Sequence, residues 1–246
     1  MAAPKKHIVF DVIGTLQLRA EGIKPLLFGY ACHHSMPYLT SHIRIETAER
    51  EYAYLSVSST TGYTPFYKAF APLFYRVLWM FGISTPREFA SDEDKDFIIQ
   101  SFTALRMRPG AAECISHLCA NGFTVWGYTA GDVATVGQYF ADAGIEMLVG
   151  NLLSCDMYGV GKPDKESYRP VLEMLRKEGE DGELWFAAAH MWDVSAATKS
   201  GFKGAWCSVL EKEPCLEIFG EMDVMADSLP EMARMVVEKA KGRGRG

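Results

Sequence analysis

The residues of this chain that could do chemistry fall in four short segments. Asp11-Val12-Ile13-Gly14-Thr15-Leu16 follows an apolar, strand-like run, which puts a carboxylate at a strand end just before a glycine turn. An aspartate held there can act as a covalent nucleophile, forming an ester with its substrate. Thr129 lies in Gly127-Tyr128-Thr129-Ala130-Gly131, Lys162 in Gly161-Lys162-Pro163-Asp164, and Asp193 in His190-Met191-Trp192-Asp193. A hydroxyl, an ammonium and a second acid would converge on Asp11 if each strand delivers its end to one crevice. Each residue alone has a plainer reading: Asp11 a turn cap, Thr129 and Asp193 helix N-caps, Lys162 a solvated loop charge. Four in this order make coincidence a poor explanation.

Positioning these groups requires strands that end side by side. His7-Ile8-Val9-Phe10-Asp11 reads as the first strand, closed by Gly14 and Thr15. From Arg108 onward strands and helices alternate: a helix over 111–121, a strand over Phe123–Tyr128 and a helix over 132–143. A short strand at Met147–Val149 comes next, then a helix at Lys165–Lys177 and a strand at Leu184–Ala189. The series closes with a helix at Asp193–Ser200 and a final strand at Ala205–Val209. Such alternation predicts an α/β fold with a doubly wound parallel sheet. The segment between, residues 17–104, is rich in aromatics and helix formers, with an amphipathic helix over Arg44–Leu55 and one or two more over Pro65–Phe81. The expected organisation is a core of 1–16 and 105–246 with an all-helical insertion at 17–104, placed as a lid over the strand ends. The terminal Lys-Ala-Lys-Gly-Arg-Gly-Arg-Gly reads as a frayed end.

Composition bounds the function. The chain has 246 residues, 48% of them hydrophobic, and a net charge of −6. An acidic protein is a poor duplex binder, so no nucleic-acid partner is expected. The longest uncharged stretch, Pro25 to Ile43, holds two prolines and three histidines, and Lys68 and Arg76 break the aromatic run from Tyr63 to Ile83. Neither suits a membrane span. Six cysteines without a C-x-x-C pair, and an opening without an apolar signal region, point to buried thiols in a reducing, cytoplasmic setting.

The D-x-x-G-T-L opening, the helical insertion, the Thr129 segment, the run Lys162-Pro163-Asp164 to Tyr168 and the Trp192-Asp193 pair resemble the haloacid dehalogenase superfamily, in its S-2-haloacid dehalogenase-like branch. The resemblance covers nearly the whole chain. It implies a Rossmann-like core, a helical cap and an aspartate nucleophile, here Asp11. The branch often dimerises, so a homodimer is among the expectations.

Departures from the superfamily pattern narrow the chemistry. Its phosphatases carry an acid two residues after the nucleophile, where this chain has Ile13, and bind magnesium through two acids near the fourth motif, where Ala188-Ala189-His190-Met191-Trp192-Asp193 retains one. A hard cation wants several oxygen ligands, so phosphoryl transfer is disfavoured and neither metal nor other cofactor is expected. Attack on carbon remains, at a carbon–halogen bond or an epoxide. The haloacid enzymes have a Ser and an Asn where this chain has Ala188 and His190, and their cap arginine aligns with Glu46, near Arg44 and Arg50. The cap is heavily aromatic (Tyr52, Tyr54, Tyr63, Phe66, Tyr67, Phe70, Phe74, Tyr75, Trp79, Phe81), more than a three-carbon acid requires. The sequence also resembles epoxide hydrolases of fungal polyketide pathways, of the aurovertin type. The leading expectation is therefore a metal-independent epoxide hydrolase acting on a small apolar organic substrate. Haloacid dehalogenation and a catalytically silent binding protein are the alternatives. Candidate catalytic residues are Asp11, Thr15, Thr129, Lys162, His190 and Asp193; Ile13, Tyr54, Tyr128 and Trp192 are candidate substrate contacts. In this scheme Lys162 keeps Asp11 ionised, Thr129 hydrogen-bonds it, and His190 or a cap tyrosine supplies a proton.

Overall fold

A computed structural model describes residues 5–19, 53, 62–80, 82–101, 105–147, 150–178 and 182–242. The chain divides into two compact units, Met1–Leu18 with Met107–Gly246, and Arg19–Arg106.

The first unit is built on six parallel strands. They are β1 (Lys6–Asp11), β4 (Phe123–Thr129), β5 (Leu152–Ser154), β6 (Glu183–Ala188), β7 (Lys203–Cys207) and β8 (Val224–Ala226), in the order β5-β4-β1-β6-β7-β8. Two short strands, β2 (Gln17–Arg19) and β3 (Leu105–Met107), form a separate pair. Strands buried on both faces need unbroken apolar runs, and β1 and β6 supply them in Ile8-Val9-Phe10 and Leu184-Trp185-Phe186-Ala187-Ala188. The chain lays down β4 and β5 on one side of β1 and then crosses to β6 on the other. That reversal opens a crevice beyond the carboxyl ends of β1 and β6, the usual ligand position in such sheets. Asp11 pairs in register with Tyr128, and Phe10 with Ala187, so the three strands bring Asp11, Thr129 and the residues after Ala188 to one edge.

Helices α4 (Ala111–Ala120), α5 (Val133–Asp142), α6 (Lys165–Glu178), α7 (Met191–Ser200), α8 (Leu216–Phe219) and α9 (Leu229–Gly242) complete this unit. In α6 the buried Tyr168, Val171, Leu172 and Leu175 recur at helical spacing and make one apolar stripe. Helix α4 packs on β4 and α9, and α6 packs on α7.

Several details depart from expectation. No strand begins at Met147, and residues 148 and 149 lie outside the described set; the pairing strand is β5, at Leu152–Ser154. Gly150 turns with φ +89, and Asn151 then docks the chain on β4, its side chain donating to Val125 O at 2.8 Å and its carbonyl accepting from Gly127 N–H at 2.8 Å. Strand β7 ends at Cys207, and both β8 and α9 follow it unforeseen. The expected frayed end is helical as far as Gly242, because Ala240 is buried and Lys239 and Lys241 bond to Asp223 O and Asn121 Oδ1; residues 243–246 lie outside the described set.

The second unit holds α1 (Phe66–Met80), α2 (Pro86–Phe89) and α3 (Asp92–Ser101). Pro65–Phe81 thus yields a single helix, with Pro72 inside it. Its aromatics pack on one another and on aliphatic neighbours: Tyr75 with Leu78, Ile83 and Ala90 against Phe74 and Phe89, and Phe70 with Val77 against Phe66 and Ile99. Phe66, Phe70, Phe74 and Tyr75 are accounted for as this unit's own core, which withdraws them as a reason to expect a long apolar substrate. Trp79 is 58% exposed. The Arg44–Leu55 helix (apart from residue 53, which is helical), Arg44, Glu46, Arg50, Tyr52, Tyr54 and Phe81 lie outside the described residues. Among the described residues no helix is long and apolar enough to cross a membrane.

The packing of α6 is open to direct measurement. Leu175 is fully buried, and Leu175→Ala is expected to lower unfolding free energy by about 2–5 kcal/mol in urea titration, through lost burial and a residual cavity. A loss under about 1 kcal/mol would contradict the helix stripe.

Candidate active site

Asp11 is the last residue of β1, and the chain turns sharply after it. The N–H groups of Leu16 and Gln17 both reach Val12 O, at 3.0 and 3.1 Å, closing a single helical turn. Gly14 has φ +89, a conformation only glycine adopts without strain, and a Cβ there would lie 2.6 Å from His190 Cε1. The turn carries the Thr15 hydroxyl back to the strand end, where it donates to Asp11 Oδ2 at 2.8 Å and accepts from Ala189 N–H at 2.8 Å.

Lys162 lies beneath this carboxylate. Its Nζ donates to Asp11 Oδ1 at 2.8 Å, to Asp193 Oδ2 at 2.9 Å and to Tyr128 O at 3.1 Å, with the side chain 3% exposed. Asp193 is fully buried in the first turn of α7, and its other oxygen accepts from the Tyr168 hydroxyl. Burial pushes the Asp11 carboxyl up, but the Lys162 charge, aided by His190, outweighs it and holds the pKa down at about 2. Burial also works against the Lys162 charge, yet the two carboxylates raise its pKa. Asp193 is raised, first by burial against the pull of Lys162, then by the charge on Asp11. The arrangement is an ionised Asp11 fixed by a permanent internal cation, as a carboxylate nucleophile requires.

His190 is the N-cap residue of α7, and its side chain makes no cap bond. The Met191 N–H is met instead by Glu211 Oε2 at 2.8 Å. The imidazole, freed from capping, lies with Nδ1 3.9 Å from Asp11 Oδ2, and its ring centroid is 5.2 Å from that of Trp192. It is placed to exchange protons with groups beside the carboxylate.

The structure thus brings Asp11, Thr15, Lys162, His190 and Asp193 together, and it reassigns two expected contacts, those of Thr129 and Tyr128. The hydroxyl bonded to Asp11 belongs to Thr15, whereas Thr129 Oγ1 is turned to its own loop and accepts from Gly131 N–H at 2.9 Å. Asp193, which could have oriented the His190 ring or bound the Lys162 ammonium, does the latter. Tyr128 is fully buried, with its hydroxyl donating to Ser167 O at 2.7 Å, so its ring supports Lys162 from 5.0 Å instead of facing substrate. Ile13 is half-buried beside the Thr129 loop, 3.1 Å from where a Gly131 Cβ would stand. Tyr54 lies outside the described residues. Two participants were not among the candidates. Tyr168 was visible in the K-P-D-x-x-x-Y run, while Arg108, bonded to Gly14 O and Thr15 O, carries no sequence signal beyond its charge.

Compared with known proteins, the chain matches the haloacid dehalogenase-like hydrolase family over residues 5–201. It belongs to that family. No curated protein matches it in sequence. Its structure is similar to an L-2-haloacid dehalogenase from Xanthobacter autotrophicus, at 19% identity over 98% of this chain and 100% of that one, with a TM-score of 0.69. A defluorinating L-2-haloacid dehalogenase matches at 20% identity over 94% of both chains, with a TM-score of 0.71. A HAD-hydrolase from Bacillus subtilis, bound to magnesium, matches at 15% identity over 95% of this chain and 99% of that one, with a TM-score of 0.65. At such identities the likeness establishes a common fold.

One of these similar structures is bound to magnesium, and the donors of this chain do not suit that ion. Asp193 has one oxygen on Lys162 and the other on Tyr168, and position 13 offers an isoleucine side chain. Among the described residues no group of three His, Cys, Asp or Glu side chains could hold a metal. A hard cation would have to displace an ammonium already seated between the two acids.

The electrostatic role of Lys162 can be read without any substrate. In carboxyl-labelled protein the Asp11 resonance, identified by its loss in Asp11→Asn, is expected to titrate near 2. In Lys162→Met the attraction is gone and burial remains, so the protonated form gains and the midpoint moves up past about 4. The same variant leaves two buried carboxylates without their cation and is expected to lose about 3–5 kcal/mol of stability.

Proposed function

We propose that this protein is a metal-independent hydrolase in which Asp11 attacks a saturated carbon, with a small 2-haloacid as the substrate class. The observation that carries the reading is the Lys162 ammonium bridging Asp11 Oδ1 and Asp193 Oδ2, with the remaining Asp193 oxygen taken by Tyr168. Asp11 is kept ionised by a fixed cation, and no metal is needed to neutralise or orient it.

In the first step an Asp11 oxygen forms a bond to C2 of the haloacid while the carbon–halogen bond breaks, the halide leaving with its electron pair. In the second, water adds to the ester carbonyl on Asp11, the 2-hydroxyacid departs and the carboxylate is restored. The net product besides the hydroxyacid is halide with one proton. His190 is the described side chain placed to take the proton of that water, and general base help of this kind is worth about 10²–10⁴-fold. The name of one similar structure supports this substrate class: it is an L-2-haloacid dehalogenase with chloropropionic acid covalently bound.

Epoxide opening, the leading expectation from sequence, becomes the second reading. What favours it is His190 beside Asp11, because an alkoxide leaving group needs a proton where a halide needs none. The aromatic argument for a long apolar substrate loses Phe66, Phe70, Phe74 and Tyr75, and Ala188 and His190 remain as differences from the haloacid enzymes.

Halide release from S-2-chloropropionate, with chelator and no added metal, tests the first reading. Release is expected from the wild type and is expected to fall by at least about 10³-fold in Asp11→Asn. Mass spectrometry of quenched wild-type protein should find the ester on the peptide holding Asp11. No halide from folded protein, together with an Asp11 adduct formed from an epoxide, would replace the haloacid reading with the epoxide one.

A further inference from the structure

Arg108, immediately after β3, is a half-buried cation whose guanidinium bonds backbone carbonyls alone among the described residues. Its Nη2 donates to Gly14 O at 2.8 Å, Nε to Thr15 O at 3.0 Å and Nη1 to Val209 O at 3.4 Å. Its main-chain N–H donates to Leu16 O at 2.7 Å. One residue therefore satisfies three successive carbonyls, those of Gly14, Thr15 and Leu16. These are the carbonyls that the single turn after Asp11 leaves without partners at its C-terminal end, where partial negative charge collects. A planar guanidinium can meet several such oxygens at once, which a single ammonium cannot. Burial lowers the Arg108 pKa, so the position is held against a desolvation cost.

The turn clamped in this way is the one that carries Thr15. Thr15 is held at three points: Arg108 donates to its backbone carbonyl, Ala189 N–H donates to its hydroxyl oxygen, and the hydroxyl donates to Asp11 Oδ2. Hydrogen bonds weaken steeply as their angle opens, so a small rotation of the turn would uncouple Thr15 from the carboxylate. We propose that Arg108 is a positioning residue for the Asp11 carboxylate, acting through the carbonyls of Gly14 and Thr15 to aim the Thr15 hydroxyl at Asp11. Its kinetic consequence rests on the proposed role of Asp11; its effect on Asp11 titration does not.

The test compares Arg108→Gln, Arg108→Lys, Thr15→Val and the Arg108→Gln/Thr15→Val double variant, each confirmed folded by circular dichroism. In carboxyl-labelled protein the Asp11 midpoint is expected to rise in Arg108→Gln and in Thr15→Val. The double variant should rise no further than Thr15→Val, since both changes remove the same bond. Arg108→Lys keeps the charge and loses the fork, and should follow Arg108→Gln. With S-2-chloropropionate, kcat should fall about 10–100-fold in Arg108→Gln with KM within about twofold. An unchanged Asp11 midpoint in a folded Arg108 variant would overturn the proposal, as would full restoration by lysine or shifts that add in the double variant. Absence of halide release from the wild type would count against the haloacid reading alone, and the titrations would still decide the role of Arg108. If Arg108→Gln fails to fold, the Arg108→Lys titration decides it.

Discussion

A lysine with 3% of its side chain exposed must be neutralised where it stands, and Lys162 meets that demand with Asp11 and Asp193. Much of the site follows from this constraint. Two carboxylates brought to one ammonium repel each other, and the burden divides unevenly. Asp11, at the end of its strand, is held down at about 2, while Asp193, fully enclosed, is pushed up by burial and by its neighbour. Tyr168 donates to Asp193 and so settles the inner acid without drawing Lys162 away from the outer one. The result is a carboxylate that stays ionised and is held in place by Lys162 and Thr15.

The sheet positions the backbone. Asp11 ends a strand flanked on both sides by parallel partners, at the switch in strand order between β1 and β6. The turn after Asp11 is tight enough that Gly14 has no room for a Cβ, and it is closed from outside by Arg108 and by Leu210, which would lie 3.4 Å from that Cβ. The loop after β7 also provides Glu211 for the first N–H of α7, which leaves His190 facing the carboxylate instead of capping its own helix. Residues distant in sequence thus take over structural duties that the candidate-site residues would otherwise perform.

Legibility in the sequence followed the range of the interactions concerned. The strands β1, β4 and β6 and the helices α4 to α7 were readable because their apolar patterns are local and strong. Strand β5 was misplaced because its position depends on Asn151 bonding to β4, a contact between residues 26 positions apart. Helix α9 was hidden by the charged residues near its end, although Val236, Val237 and Ala240 bury its inner face. Phe66, Phe70, Phe74 and Tyr75 suggested a pocket from composition, and their packing showed a core.

From the sequence by itself follow the α/β class and four segments able to meet at one end of a sheet. So does the exclusion of a second acid at Ile13, since residue type and order carry that information. Tertiary structure decided which groups touch. It gave Asp11 the hydroxyl of Thr15 in place of that of Thr129, enclosed Tyr128, and recruited Arg108 across 94 positions of chain to the Gly14 carbonyl. The physical reason is that a hydrogen bond depends on separations of a few tenths of an ångström and on direction, and those are set by how strands register and turns close.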